Sequence, residues 1–356
     1  SCRNLVHLLS PDIDFYIYTG DRDLGDERPF DGIEFDRWVE GPDGVKVWYA
    51  SRSGSAVHLK SLISALAPDV VYLNSMFSVR FTLSPLWVLH NMRYHGRIVI
   101  APRGMLHEGA RSFKAFRKNV FLFLFDLYNK SRQFTFQATD PQEASDIRRA
   151  LPSAKQVVTI GNIPKMVAPA DQGVPKNRGE LRMVFLSRIH PKKNLIELIN
   201  LLSQPFTGKV SLDIYGGVED PAYAQACREA ALRVSVGVSV QFKGPVPHSD
   251  VAATLQNYHL FVLLTKGENF GHAIFESFSC GLPVLISRHT PWQGLQDAKA
   301  GWIVDSSNAP AVVRAIEEVL QMDQGEFNEW RRGAVAYAKA YIEHGRFREG
   351  YSNLFS

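Results

Sequence analysis

Cysteine is scarce in this chain: Cys2, Cys227 and Cys280 stand far apart among 356 residues. They show no metal-binding spacing and no disulfide framework, so a reducing compartment is the expected home. Long apolar runs are missing as well. Nothing approaches the roughly 18 residues that a bilayer-spanning helix needs, and no signal peptide is visible at the start. The expectation is a soluble, cytoplasmic protein, at most peripheral to the inner face of the plasma membrane. The 11 histidines include no His-x-x-x-His pair, which argues against a dedicated zinc site. No Gly-x-Gly-x-x-Gly follows an apolar run, which weakens a nicotinamide dehydrogenase reading.

What is present suits a globular protein of two domains: 21% charged and 45% apolar residues over a length generous for one core. Charge is unevenly placed. Residues 1–45 hold 11 acidic and 4 basic side chains, a net of −7, whereas residues 80–165 hold 14 basic and 5 acidic, a net of +9. Within the second block, Lys114 to Arg132 combines Lys118, Lys130 and Arg132 with a run rich in Phe and Leu. Such a segment lies on an anionic membrane surface or, more plainly, is a core helix with solvated ends. No nucleic-acid-binding module accompanies the charge, so nucleic acid is not an expected partner.

Apolar strand patterns alternate with helical ones throughout, which predicts an α/β protein with parallel sheets covered on both faces. Strands are expected over 15–19, 45–49, 70–74, 98–101, 134–138 and 157–160, then over 183–187, 210–215, 240–243, 260–264, 284–287 and 302–304. The Pro- and Gly-rich stretch between them reads as a linker. The predicted organisation is an N-terminal Rossmann-like domain over 1–165, a linker over 166–180 and a second Rossmann-like domain over 181–335. Residues 336–356 would form a C-terminal helix packing back on the first domain. A cleft between the domains would hold ligands at the carboxyl ends of the strands. The chain opens on an amphipathic helix, Ser1 to Leu9, so the first domain is expected to lack its first strand and its Gly-rich turn.

Two constellations carry chemistry. After the apolar run Leu260–Leu264, Gly267 and Gly271 punctuate a loop before a helix from Ala273 to Cys280 that is apolar apart from Glu276. A buried carboxylate needs a partner: a buried Lys or Arg, or a bound diol, whose two hydroxyls a carboxylate accepts together. The second constellation follows the strand ending at Ser187, where Arg188 and Lys193 stand five residues apart before a helix near Asn194. Two cations at a strand-to-helix turn suit a diphosphate, each contributing roughly 4 kcal/mol toward a departing negative charge at an effective dielectric of 20. The plainer reading is a surface cluster. Asp12-Ile13-Asp14 and Asp21-Arg22-Asp23 match a metal motif only in form, and no metal site is expected there.

Taken together, these residues resemble the retaining nucleotide-sugar glycosyltransferases of family 4, which have the GT-B architecture. The resemblance rests on Arg188, Lys193, the Glu-x7-Glu pair Glu268 and Glu276, Cys280-Gly281-Leu282-Pro283-Val284, Thr290-Pro291-Trp292 and Gly301-Trp302. It extends more weakly through Ala101 to Leu106 and Thr19 to Gly25, and it points to the branch that builds bacterial surface polysaccharides, including lipopolysaccharide. It implies that Arg188 and Lys193 hold the diphosphate and stabilise the leaving group without a metal. Glu276 would accept the ribose hydroxyls and Glu268 would face the donor sugar. Asn269, Phe270, Gly271 and His272, at the helix start, would contact the sugar or phosphate. Gly216 and Gly217 would leave room for the nucleotide, and Gly244 to Val246 would flank the base. The donor would be a UDP- or GDP-linked sugar, the acceptor a saccharide or lipid-linked oligosaccharide, and no other cofactor is implied.

In the first domain the chain departs from its relatives. Pro102-Arg103 stands where many have a histidine, so Arg103 or His107 would contact donor or acceptor there, and Gln137 replaces a second histidine. The competing readings are another activity of the same architecture, such as a sugar-nucleotide epimerase, and a non-catalytic sugar-nucleotide-binding subunit.

Overall fold

The alternation of short apolar strands with helices produces three sheets, seen in a computed structural model that describes residues 2–22, 28–41, 44–52, 56–106, 115–167 and 174–356. The chain divides into two compact units, Ser1–Ile163 with Arg346–Ser356, and Pro164–Gly345.

The first unit begins with helix α1 (Cys2–Leu9), which buries Leu5, Val6 and Leu9. Strands β1 (Tyr16–Gly20), β2 (Trp38–Glu40) and β3 (Lys46–Ala50) form a separate three-stranded sheet in the order β1-β3-β2. Here the expectation of uniformly parallel strands fails, because β2 pairs antiparallel with β3 through Trp38 opposite Trp48. At three residues, β2 is too short to leave a periodic signal. After helix α2 (Ala56–Leu66) come β4 (Val70–Leu73), α3 (Ser84–Asn91), β5 (Arg97–Ile100), α4 (Ala115–Arg132), β6 (Thr135–Ala138), α5 (Pro141–Ala150) and β7 (Gln156–Thr159). Strands β4-β5-β6-β7 form a parallel sheet in sequence order. The Asp140 side chain caps α5 by accepting the Glu143 N–H, the usual role of an Asp before a first helical turn.

The second unit runs β8 (Glu180–Leu186), α6 (Leu195–Leu201), β9 (Lys209–Tyr215), α7 (Pro221–Ala231), β10 (Val238–Gly244), α8 (Val251–Leu255), β11 (Leu260–Leu263), α9 (His272–Ser279), β12 (Val284–Ser287), β13 (Gly301–Val304), α10 (Ala309–Gln321) and α11 (Gln324–His344). Its six strands are all parallel in the order β10-β9-β8-β11-β12-β13. Every residue of β11 and β12 is buried, as continuous apolar strands between two helical layers must be.

Much of the stretch read as linker is built into this unit. Val174 and Met166 pack against its core, and the buried Lys176 ammonium donates to the carbonyls of Asn177, Leu320 and Met322 at the end of α10. Residues 168–173 lie outside the described residues. The single long helix expected at the C-terminus is two helices: Arg346, in a left-handed conformation at φ +41°, separates α11 from α12 (Phe347–Phe355). Residues 336–345 therefore stay with the second unit, and α12 belongs to the first.

His259 ties β8 to the segment before it. Its Nδ1 accepts the Arg182 N–H at 3.0 Å, and its Nε2 lies 3.0 Å from the Pro175 carbonyl, which places the proton on Nε2. Burial depresses its pKa to about 4, below the ordinary value near 6.5. The unfolded chain therefore takes up a proton between those values and the folded chain does not. This contribution to stability is complete above about pH 6.5 and is lost as pH falls toward 4. Denaturant unfolding from pH 7 to 4.5 is expected to show a stability slope that His259→Asn flattens; equal slopes would refute this role.

Candidate functional site

In the second unit the chain winds outward from β8 through β9 to β10, then returns to lay β11 on the other side of β8. The carboxyl ends of β8 and β11 thus form the switch point where connections leave in opposite directions and the loops splay apart, the place where such sheets bind ligands. Two loops meet here: Ser187–Asn194 after β8, and Leu264–Gly271 after β11. The Lys192 carbonyl accepts the Lys266 N–H at 2.9 Å and the Thr265 hydroxyl at 3.1 Å. Thr265 is fully buried, and its own carbonyl accepts the Ser287 hydroxyl at 2.5 Å. Neither Thr265 nor Ser287 figured in the sequence reading, although a lone hydroxyl directly after an apolar strand is a usable signal.

The join brings Lys193 and Glu268 together at 2.5 Å, with only 11% and 17% of their side chains exposed. Lys193 sits in a short turn, Pro191–Lys193, whose exit residue Asn194 is left-handed at φ +58°. Glu268 is held through its backbone N–H, which donates to the His289 carbonyl at 2.9 Å. Arg188 stands differently. It is well exposed and pairs with Glu219 at 2.7 Å, a partner the sequence reading did not include. A solvated pair of this kind is worth about 0–1 kcal/mol, so its guanidinium is easily released to another anion.

Gly271 starts α9 at φ +77°, and no side chain caps the helix there. A Cβ at this position would sit 2.7 Å from Ile274 and 3.1 Å from Glu268, so glycine is required by both conformation and space. Phe270 is a core residue: its ring packs on Trp292 at 5.0 Å and its carbonyl accepts the Trp292 indole N–H at 2.7 Å. That leaves the backbone N–H, not the ring, for any ligand contact. His272 packs against the Phe270 ring at 4.9 Å. Asn269 lies in the same loop.

Glu276 is 16% exposed, and the His248 imidazole, on an exposed turn after β10, lies 3.8 Å from its carboxylate through Nδ1. Among the described residues no Lys or Arg pairs with it. Burial pushes its carboxyl up to about 7.

Gly216 makes room for backbone. At φ +150° a Cβ would fall 1.9 Å from the Ser187 carbonyl, so its missing side chain lets β9 close against the end of β8. Its N–H donates to the Gly244 carbonyl at 2.9 Å. Gly217 and Gly244 face open space, while Val246 packs against the core edge.

In the first unit, Arg103 follows β5 at φ +54° and donates to Asn74 at 2.7 Å, Asn162 at 2.5 Å and the Tyr72 hydroxyl at 2.7 Å. The adjoining Gly104 N–H is accepted by the fully buried Glu143. Tyr72 donates in turn to the Gln137 amide oxygen at 2.7 Å, and the Gln137 amide N–H donates to the Ile160 carbonyl at 2.6 Å. Gln137 is thus a buried strut with its amide already engaged. Arg103 is a cation fixed by neutral groups. His107 lies outside the described residues. Asp21 is bound by Arg22 at 2.8 Å and Asp12 by Arg348; no cluster of metal-ligating residues occurs among the described residues.

Residues 169–339 match the family model for glycosyl transferases group 1. The chain resembles GT-B glycosyltransferases. Over 161 residues it is 26% identical to a GDP-mannose:cellobiosyl-diphosphopolyprenol alpha-mannosyltransferase of Xanthomonas campestris, covering 45% of this chain and 42% of that protein. It thus spans under half the length of the curated relative it matches. Among solved structures, a sucrose-phosphate synthase from Thermosynechococcus elongatus superposes with a TM-score of 0.70 at 18% identity, covering 99% of this chain and 92% of the other. The Anabaena protein HepE, solved with UDP and glucose, gives 0.67 at 16% identity, with 87% and 86% coverage. These likenesses fix the fold as GT-B.

Two outcomes are expected. Lys193→Ala and Glu268→Ala should each destabilise the ligand-free protein by about 3 kcal/mol, since each strands a largely buried charge. The double variant should cost less than their sum; strict additivity in denaturant unfolding would show that the pair is not coupled. For Glu276 the folded value lies above the ordinary carboxyl value, so the folded chain holds the extra proton. Its contribution is complete below about pH 4.5 and is lost as pH rises through 7, by up to roughly 3 kcal/mol. Glu276→Gln should flatten that fall in pH-dependent unfolding, and an unchanged curve would contradict it.

Proposed function

We propose that the chain is a retaining, metal-independent glycosyltransferase that moves a sugar from a nucleotide donor to a saccharide or lipid-linked acceptor, in bacterial surface polysaccharide synthesis. The observation that carries this reading is the junction of the loops after β8 and β11, which joins Lys193 to Glu268, carries the releasable cation Arg188 and leads into α9 with its largely buried carboxylate, Glu276. A nucleoside diphosphate sugar has complementary parts: a diphosphate for the cations and a ribose diol for Glu276.

In this reading the donor diphosphate draws Arg188 from Glu219 and Lys193 from Glu268, which frees Glu268 to accept sugar hydroxyls. The cations then favour departure of the nucleoside diphosphate, because they stand where negative charge grows. The bond from the anomeric carbon to the phosphate oxygen breaks through an oxocarbenium-like state. The acceptor oxygen bonds to the same face, and its proton passes to the departing phosphate. No cofactor beyond the nucleotide sugar takes part. Arg103 would act in the first unit as a fixed positive contact to the acceptor. A curated relative named for a GDP-mannose donor and a diphosphopolyprenol acceptor supports a lipid-linked acceptor, and a neighbour solved with UDP supports the wider donor class.

Thermal unfolding with UDP, GDP, ADP or dTDP, in EDTA, tests the donor site. One nucleotide at a hundredfold excess over its Kd should stabilise the protein by about 2.7 kcal/mol. Glu276→Ala and Arg188→Ala should abolish most of that gain. Stabilisation by none, or equal stabilisation of both variants, would remove the donor-site assignment.

A further inference from the structure

We propose that the outward face of α4, together with Trp87 on α3, is a docking surface for an anionic phospholipid bilayer. This surface rests on exposure and charge in the first unit and is independent of the donor-site reading. Helix α4 is apolar on two opposite faces. One face places Leu122 and Phe125 in the core against Phe134. The other carries Val120, Phe123, Leu124 and Leu127, whose i, i+3, i+4, i+7 spacing aligns them in one stripe. These four are exposed, Phe123 by 66% and Leu124 by 59%. A soluble surface seldom carries a contiguous apolar stripe without a partner to cover it.

Neighbouring contacts join α3 and the segment before it to α4. His90 at the end of α3 lies 2.7 Å from the Arg132 guanidinium and 3.3 Å from the Tyr128 hydroxyl. At the other end, Phe77 packs on Phe121 with centroids 5.4 Å apart, and the Lys118 ammonium lies 5.5 Å from the Phe77 ring. The His90 contacts bring the end of α3 to the end of α4, and Trp87, one turn before His90 on α3, is 63% exposed. Indole is the side chain best suited to the headgroup region.

Charge selects the occupant. The exposed Lys130, two turns beyond Phe123, borders the stripe, Arg132 ends the same helix, and the exposed Arg93 follows α3. The one acid of α4, Asp126, is committed to Ser153, accepting its N–H at 2.9 Å and its hydroxyl at 2.6 Å. Two copies meeting through this face would bring basic rims together, whereas an anionic bilayer complements both the cations and the apolar stripe.

Co-sedimentation of the full chain with phosphatidylcholine vesicles, with and without phosphatidylglycerol, tests the proposal. Binding is expected only to the anionic vesicles and should weaken with salt. Phe123→Asp/Leu127→Asp should reduce it by about tenfold or more, and Lys130→Glu by about fivefold, with melting temperatures unchanged. Absence of binding, equal binding by the double variant, or a dimer in solution that this variant dissociates would each overturn it.

Discussion

The second unit depends on one small joint, the Lys192 carbonyl accepting both the Thr265 hydroxyl and the Lys266 N–H. Parallel strands place the ends of β8 and β11 side by side, but strand pairing does not by itself bring the following loops together. This joint does. It leaves Lys193 opposite Glu268 and fixes where the chain must turn into α9. Gly271 is required because nothing larger fits between Ile274 and Glu268, and Gly216 because the Ser187 carbonyl fills its Cβ position. Charge is therefore held in place here by backbone geometry.

The three acidic groups of this region stand in contrasting states. Glu268 is neutralised by a largely buried ammonium and Glu219 by an exposed guanidinium, whereas among the described residues Glu276 has an exposed histidine beside it. Desolvation therefore acts hardest on Glu276, the group with most to gain from a polar ligand. The first unit holds the reverse arrangement, a cation, Arg103, oriented by three neutral acceptors and braced through Tyr72 and Gln137. Each is a polar group oriented in advance, with interaction capacity left over for a ligand.

The sequence by itself determined the alternation of strands and helices, because buried parallel strands must be short continuous apolar runs. It likewise determined the grouping of cations after one strand and carboxylates after another, since spacing places residues on a loop or a helix face. Boundaries shifted by at most three residues, and the antiparallel β2 escaped notice because three residues carry no period. Only the tertiary structure decided which charges pair, that Phe270 and Gln137 are struts, and that Gly216 makes room for backbone. The tertiary structure also decided which of the two apolar faces of α4 is buried, because burial depends on neighbours contributed by distant parts of the chain.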